Sequence, residues 1–183
     1  MVKGDVLDFD TINKTIEGCD LVVSLFGHVK ASPERLQTNG TENIIKAMKQ
    51  TGLTETISPG GSGLPFPEKG QPKFPDKLIR LIMKLVFPKI INDAIRNAEV
   101  TKNSGLDWVI VGGPKLTDGE KKGNYRSMSR ANLADFILKI VESSELICKY
   151  LSPTYGCKHY LMFKSNFGHP LKDNRVYRLF IFE

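Results

Sequence analysis

Glycines at the ends of apolar runs are the residues here whose type and spacing point most directly to chemistry. Gly27 closes the run Leu21 to Phe26, Gly112-Gly113 follows Leu106 to Val111, and Gly60-Gly61-Ser62-Gly63 stands before a proline-rich stretch. A glycine at a strand end leaves room for a ligand, because no side chain blocks the approach to the backbone. The cluster at 60–63 has the composition of a phosphate loop, but an irregular segment follows it where a helix start is required, so it reads as a turn. His28, His159 and His169 have no metal-ligand spacing with carboxylates or thiols, and no metal is expected. His28 follows Gly27 and suits either contact with a phosphate or a surface position.

The elements that position these residues alternate. Val2 to Leu7 and Leu21 to Gly27 read as strands, the second apolar throughout, as a strand covered on both faces requires. Between them Asp8 or Asp10 can cap a helix whose Ile12 and Ile16 share one face. Pro33 fits the first turn of a helix running to Thr51 and closed by Gly52. A poor strand near Leu53 to Ser58 precedes residues 59–76, whose five prolines and four glycines predict a long loop. Asp76 to Phe87 is a helix candidate apolar on most of its circumference, stopped by Pro88, with the character of a partner face or a lid. Asp93 to Ser104 is helical and ends at Gly105, Leu106 to Val111 is a strand, and Ser129 caps a helix through Val141. Beyond it, Val176 to Phe182 is either an extra strand or a loose tail. Strands alternating with helices give an α/β fold with a parallel sheet. The organisation expected is one domain over 1–142 and a partly ordered C-terminal extension over 143–183.

Composition narrows the options. The 183 residues are 40% apolar and 25% charged, with a net charge of +6, the pattern of an ordinary globular protein. From Glu68 to Lys102 eight basic residues face four acidic ones, a spread-out excess that predicts no specific nucleic-acid partner. The longest apolar run, Leu78 to Phe87, is interrupted by Arg80 and Lys84 and falls short of the roughly 20 residues of a spanning helix, so no membrane partner is expected. Three cysteines without paired spacing, and no signal peptide, lead to the expectation of a reduced, cytoplasmic protein.

Several strings occur in a shared order: V-K-G-D-V-L-D (2–8), V-V-S-L-F-G (22–27), N-G-T-E-N-I-I-K-A-M-K (39–49), S-G-L-D-W-V-I-V (104–111), L-T-D-G (116–119), Y-R (125–126) and S-R-A-N-L-A-D-F-I-L (129–138). In this order they resemble the atypical short-chain dehydrogenase/reductases, the NAD(P)H-binding group that includes flavin reductase/biliverdin reductase B. The resemblance implies a Rossmann-like three-layer parallel sheet with NADP or NAD across its carboxyl edge. It places Asp5 and Val6 near the adenine, Ser24, Leu25, Phe26 and Gly27 beside the ribose and nicotinamide, and Gly113 and Pro114 beside the nicotinamide. It also puts the end of the strand near 58 close to the substrate. The catalytic group stays unknown, with Ser58 and Ser62 as candidates.

The departures from the family pattern carry as much information. The sequence resembles the family from its third strand onward, so an N-terminally truncated member lacking the first βαβ unit and its glycine-rich loop is expected. The family's first two strands would lie between 2–7 and 21–27, and here those segments are expected to pair directly. Tyr160 and Lys164 have the Tyr-x-x-x-Lys spacing of ordinary short-chain dehydrogenases but lie beyond the last matched helix, whereas Ile90 to Asn103 contains no tyrosine. Gly113 replaces the family's arginine. Two functions follow. One is an NAD(P)H-dependent reductase passing hydride to a flavin or other planar small-molecule acceptor, impaired by loss of the glycine-rich loop. The other is a non-catalytic interaction protein that keeps a partial Rossmann sheet and meets a protein partner through 78–87.

Overall fold

A computed structural model of the chain describes residues 4–61, 81–82, 84–113, 116–119, 129–141, 149–151 and 177–180. Helix α1 (Phe9–Ile16) is followed by β1 (Leu21–Ser24), α2 (Leu36–Thr51), β2 (Glu55–Gly61), α3 (Pro88–Lys102), β3 (Asp107–Gly113), α4 (Arg130–Val141), β4 (Lys149–Leu151) and β5 (Tyr177–Phe180). The five strands form one sheet in the order β4-β3-β2-β1-β5, every pairing parallel.

Alternation along each strand sends neighbouring side chains to opposite faces, and the sheet is covered on both. Val22 joins Ile12, Ile16, Ile44, Ala47 and Met48 beneath α1 and α2. Leu21 and Val23 face the other way, packing with Val109, Val111, Phe136, Ile137 and Ile140 under α4. Trp108 and Ile110 meet Ala98 of α3. This is the three-layer α/β body expected from the alternating pattern.

Local signals set most boundaries. Asp8 caps α1 by accepting from the Asp10 N–H at 3.1 Å. Gly52 ends α2 in a left-handed conformation at φ 76°, its N–H donating to the Met48 carbonyl. Ser129 opens α4 by accepting from the Asn132 N–H at 3.1 Å. Pro88 ends the helical turn before it as the sequence predicts, but the next helix begins there and not at Asp93. It occupies the first turn of α3.

Three expectations are corrected. The described part of 2–7, Gly4 to Leu7, forms a turn in which the Asp8 N–H donates to the Asp5 carbonyl at 3.0 Å. Direct pairing of that segment with β1 does not occur, because β1 lies between β2 and β5. The long loop does not begin at residue 59, since β2 continues through Pro59 to Gly61 in register with Val111 to Gly113. Pro59 is tolerated because β1 pairs with β2 only over 55–57, so a missing donor on that side breaks no ladder. The strand read as poor is central, held by neighbours its own composition does not disclose.

Candidate functional site

Strands β1, β2 and β3 end on the same edge of the sheet, and their last residues form the candidate site. In β2 and β3 the register places Gly60 opposite Gly112 and Gly61 opposite Gly113. Strand side chains would normally project from both faces here, so four paired glycines leave bare backbone across the tips of two adjacent strands. Gly113, expected beside a nicotinamide, lies in this patch. Pro114 and Ser62 fall outside the described residues. Ser58 sits two residues back in β2, buried and in register with Ile110.

The chain leaving β1 supplies the other expected contacts. Ser24 is buried at the end of the strand, opposite Phe180 of β5. Leu25 packs partly against the α4 side of the core, while Gly27 is exposed beside Gln37. The structure brings Phe26 and Val6 together, though in the core. Both press on Gly40 of α2, where an added Cβ would lie 2.8 Å from Phe26 Cζ and 2.8 Å from Val6 Cγ2. Their side chains are therefore committed to the core. Asp5 is exposed, and its carboxylate accepts from the Leu7 N–H at 2.9 Å.

Helix α2 is the next element after β1, and its start is the kind of place where a parallel α/β fold commonly holds an anion. That place is already filled. Asp93 of α3, only 2% exposed, accepts from the Gln37 N–H at 2.8 Å, the Thr38 N–H at 3.0 Å and the Thr38 hydroxyl. His28 Nε2 lies 2.7 Å from the same carboxylate. Burial pushes the Asp93 carboxyl upward, but the hydrogen bonds from Thr38, Gln37 and His28 together outweigh it and hold the group below the usual carboxylate range. His28 is thus neither a surface residue nor a free phosphate contact.

Sequence reasoning missed this arrangement. The available signal was a polar stripe, Asp93, Asn97 and Thr101, spaced by four on the face of α3 that is buried. It also missed how two matched strings meet. Thr117 bridges Ser129, the Arg130 N–H donates to the Thr117 carbonyl at 3.1 Å, and the Arg130 guanidinium pairs with Asp118.

Phosphate-binding capacity can be judged from the helix starts. Asp8 caps α1, Asp93 fills α2 and Ser129 caps α4, whereas α3 opens on Pro88 with no side-chain cap. Among the described residues, the starts of α1, α2 and α4 are thus occupied by the protein's own side chains, and the glycine patch carries no side chains to obstruct the flat ring of a dinucleotide.

A parallel sheet covered on both faces, with side-chain-free strand tips on one edge, defines a protein of the Rossmann-like nucleotide-binding class. A family model described as NAD(P)H-binding matches residues 1–144, and the chain belongs to that family. Solved structures agree on the fold. A short-chain dehydrogenase/reductase from Veillonella parvula, in complex with NADP, is 12% identical with a TM-score of 0.61, over 81% of this chain and 69% of that one. An anaerobilin reductase from Escherichia coli is 16% identical with a TM-score of 0.64, over 82% and 72%. An oxidoreductase from Lactococcus lactis is 20% identical with a TM-score of 0.63, over 82% and 69%.

Proposed function

We propose that this chain is a reductase-type protein that receives the nicotinamide of NAD(P)H at the tips of β1, β2 and β3 and a flat acceptor, such as a flavin, over the glycine patch. The observation that carries this reading is the register of Gly60 with Gly112 and Gly61 with Gly113. A ring needs a flat contact surface, and side chains at these positions would stand in its way. The cofactor when bound supplies the hydride, so the protein is required mainly to hold two rings in contact and exclude water. Ser24 to Gly27 and Gly113 border that space, with Asp5 and Val6 on the adenine side. Ser58 and Ser62 remain the candidates for a polar contact with substrate. The similarity to an anaerobilin reductase supports a small-molecule acceptor without selecting one.

The grip on the diphosphate is weak in this reading. Two or three missing charge-assisted hydrogen bonds, each worth roughly 1.5–3 kcal/mol, reduce affinity about a thousandfold or more. Calorimetric titration of the chain with NADPH should give a Kd weaker than roughly 100 µM. A low-micromolar value would refute the weak grip. Gly112→Val should abolish the remaining binding, and unchanged binding in that variant would remove the glycine patch from the site.

The alternative of a non-catalytic interaction protein is favoured by one observation, the exposed apolar residues between Leu81 and Ile90. NADPH oxidation in the presence of flavin separates the two readings, since only the reductase reading expects turnover.

A further inference from the structure

The largest feature that the site leaves unexplained is an apolar stripe. Leu81, Ile82, Leu85, Val86, Phe87 and Ile90 are all exposed, Leu85 to 73%. Residues 81–82 and 84–86 are helical, and α3 begins at Pro88. The pairs 81/85 and 82/86 are spaced by four, the spacing that stacks side chains along one side of a helix, and Phe87 and Ile90 continue the exposed apolar residues across the break into α3. Isolated exposed apolar residues need no explanation, but a contiguous stripe of large ones marks an interaction surface.

Charge selects the occupant. From 77 to 92 the sequence contains Lys77, Arg80, Lys84 and Lys89 and no acidic residue. Lys84 is exposed within the stripe. Lys89 pairs with Glu34 at 3.3 Å, but both side chains are well exposed, at 73% and 61%, so the pair is weak and Lys89 can turn to another anion. A second copy meeting the stripe about a two-fold axis would bring Lys84 and Lys89 toward their own images, an arrangement that costs energy in an apolar contact. A surface combining negative charge with an apolar interior meets both requirements. That combination is an anionic lipid bilayer, on which a short helix lies with its apolar side in the headgroup boundary and its lysines at the phosphates.

We propose that the stripe from Leu81 to Ile90 docks this protein onto an anionic membrane surface. No helix among the described residues is long and apolar enough to cross a membrane. The mode proposed is peripheral, and it departs from the sequence expectation of no membrane partner, which rested on spanning segments alone. The proposal is independent of the reductase reading, because it draws on none of the strand-tip residues.

Vesicle co-sedimentation of the full chain tests it, comparing phosphatidylcholine vesicles with vesicles containing about one-third phosphatidylserine, at about 0.1 M salt. The expected result is binding to the anionic vesicles only. Leu85→Glu should weaken it tenfold or more, and Lys84→Glu should weaken it to a smaller degree. Both residues are exposed, so the thermal midpoint should stay unchanged and show that the variants fold. Absence of binding to anionic vesicles, equal binding to both compositions, or full retention of binding in Leu85→Glu would each overturn the proposal. So would light scattering that finds a dimer dispersed by Leu85→Glu, which would identify a second copy as the occupant.

Discussion

The tips of β2 and β3 and the first turn of α2 lie in the two kinds of place where an α/β protein holds a nucleotide, and this chain treats them in opposite ways. At the strand tips, Gly60, Gly61, Gly112 and Gly113 carry no side chains, so the ends of two adjacent strands are backbone alone. At the helix start, Asp93 reaches across from α3 and takes the N–H groups of Gln37 and Thr38 for the fold itself. The helix macrodipole and free N–H groups favour an anion there whatever its source. A helix start is a ligand site only if the protein has not already supplied that anion.

The largest effect should come from emptying the helix start. Asp93→Ala removes a buried acceptor from two backbone donors, the Thr38 hydroxyl and His28. Such a loss costs about 3–5 kcal/mol, read as a fall in the urea midpoint with the slope unchanged. Asp93→Asn should be milder, because the amide keeps one acceptor oxygen while turning an NH2 toward groups that are themselves donors. Millimolar inorganic phosphate should raise the midpoint of Asp93→Ala more than that of the unaltered chain, since only the variant leaves the Gln37 and Thr38 N–H groups open. Equal responses would show that the carboxylate does not occupy an anion site.

The next effect separates core from floor. A Cβ at Gly40 would meet Phe26 and Val6, a collision that typically costs 1–3 kcal/mol, so Gly40→Ala should lower the thermal midpoint. Gly112→Val instead should act first on NADPH binding. If Gly40→Ala lost binding without losing stability, Phe26 and Val6 would belong to the ligand site and not to the core behind it.

A pH titration sharpens the same contrast with a smaller signal. The Asp93 carboxyl is held below its ordinary value in the folded chain. Its contribution is therefore complete above the unfolded carboxylate pKa of about 4, and it is lost as the pH falls through the lower folded value. Unfolding free energy measured between neutrality and strong acid should decline in that lower window, and Asp93→Asn should flatten the decline.

Much of this was legible from the residues. The caps Asp8, Gly52 and Ser129, the helical spacing in α4 and the apolar run of β1 act through local chemistry, so the sequence displays them directly. Strand β2 was legible as a poor strand near 53–58, but its extent to Gly61 and its central place were not, because Thr54, Glu55 and Pro59 argue against a strand and only pairing with β3 overrules them. Neither was the place of β5, since Tyr177 to Phe180 meets β1 across more than 150 residues, and no local pattern encodes which edge a strand joins. The Asp93 cluster joins three separate segments. Its polar stripe was visible, but its partner was not.

The smallest expected effect lies where chain leaving the glycine tips returns to α4. Arg130 and Asp118 form an ion pair, but the two side chains are 64% and 92% exposed, so water screens both charges. Arg130→Ala should change stability by less than about 1 kcal/mol, and added salt should shrink that change further. The backbone bond from Arg130 to the Thr117 carbonyl does not depend on the side chain and should persist in the variant. Hydrogen exchange at the Arg130 amide tests this. Protection retained would mean that the backbone bridge fixes the segment leading away from the strand tips, and protection lost would transfer that role to the ion pair.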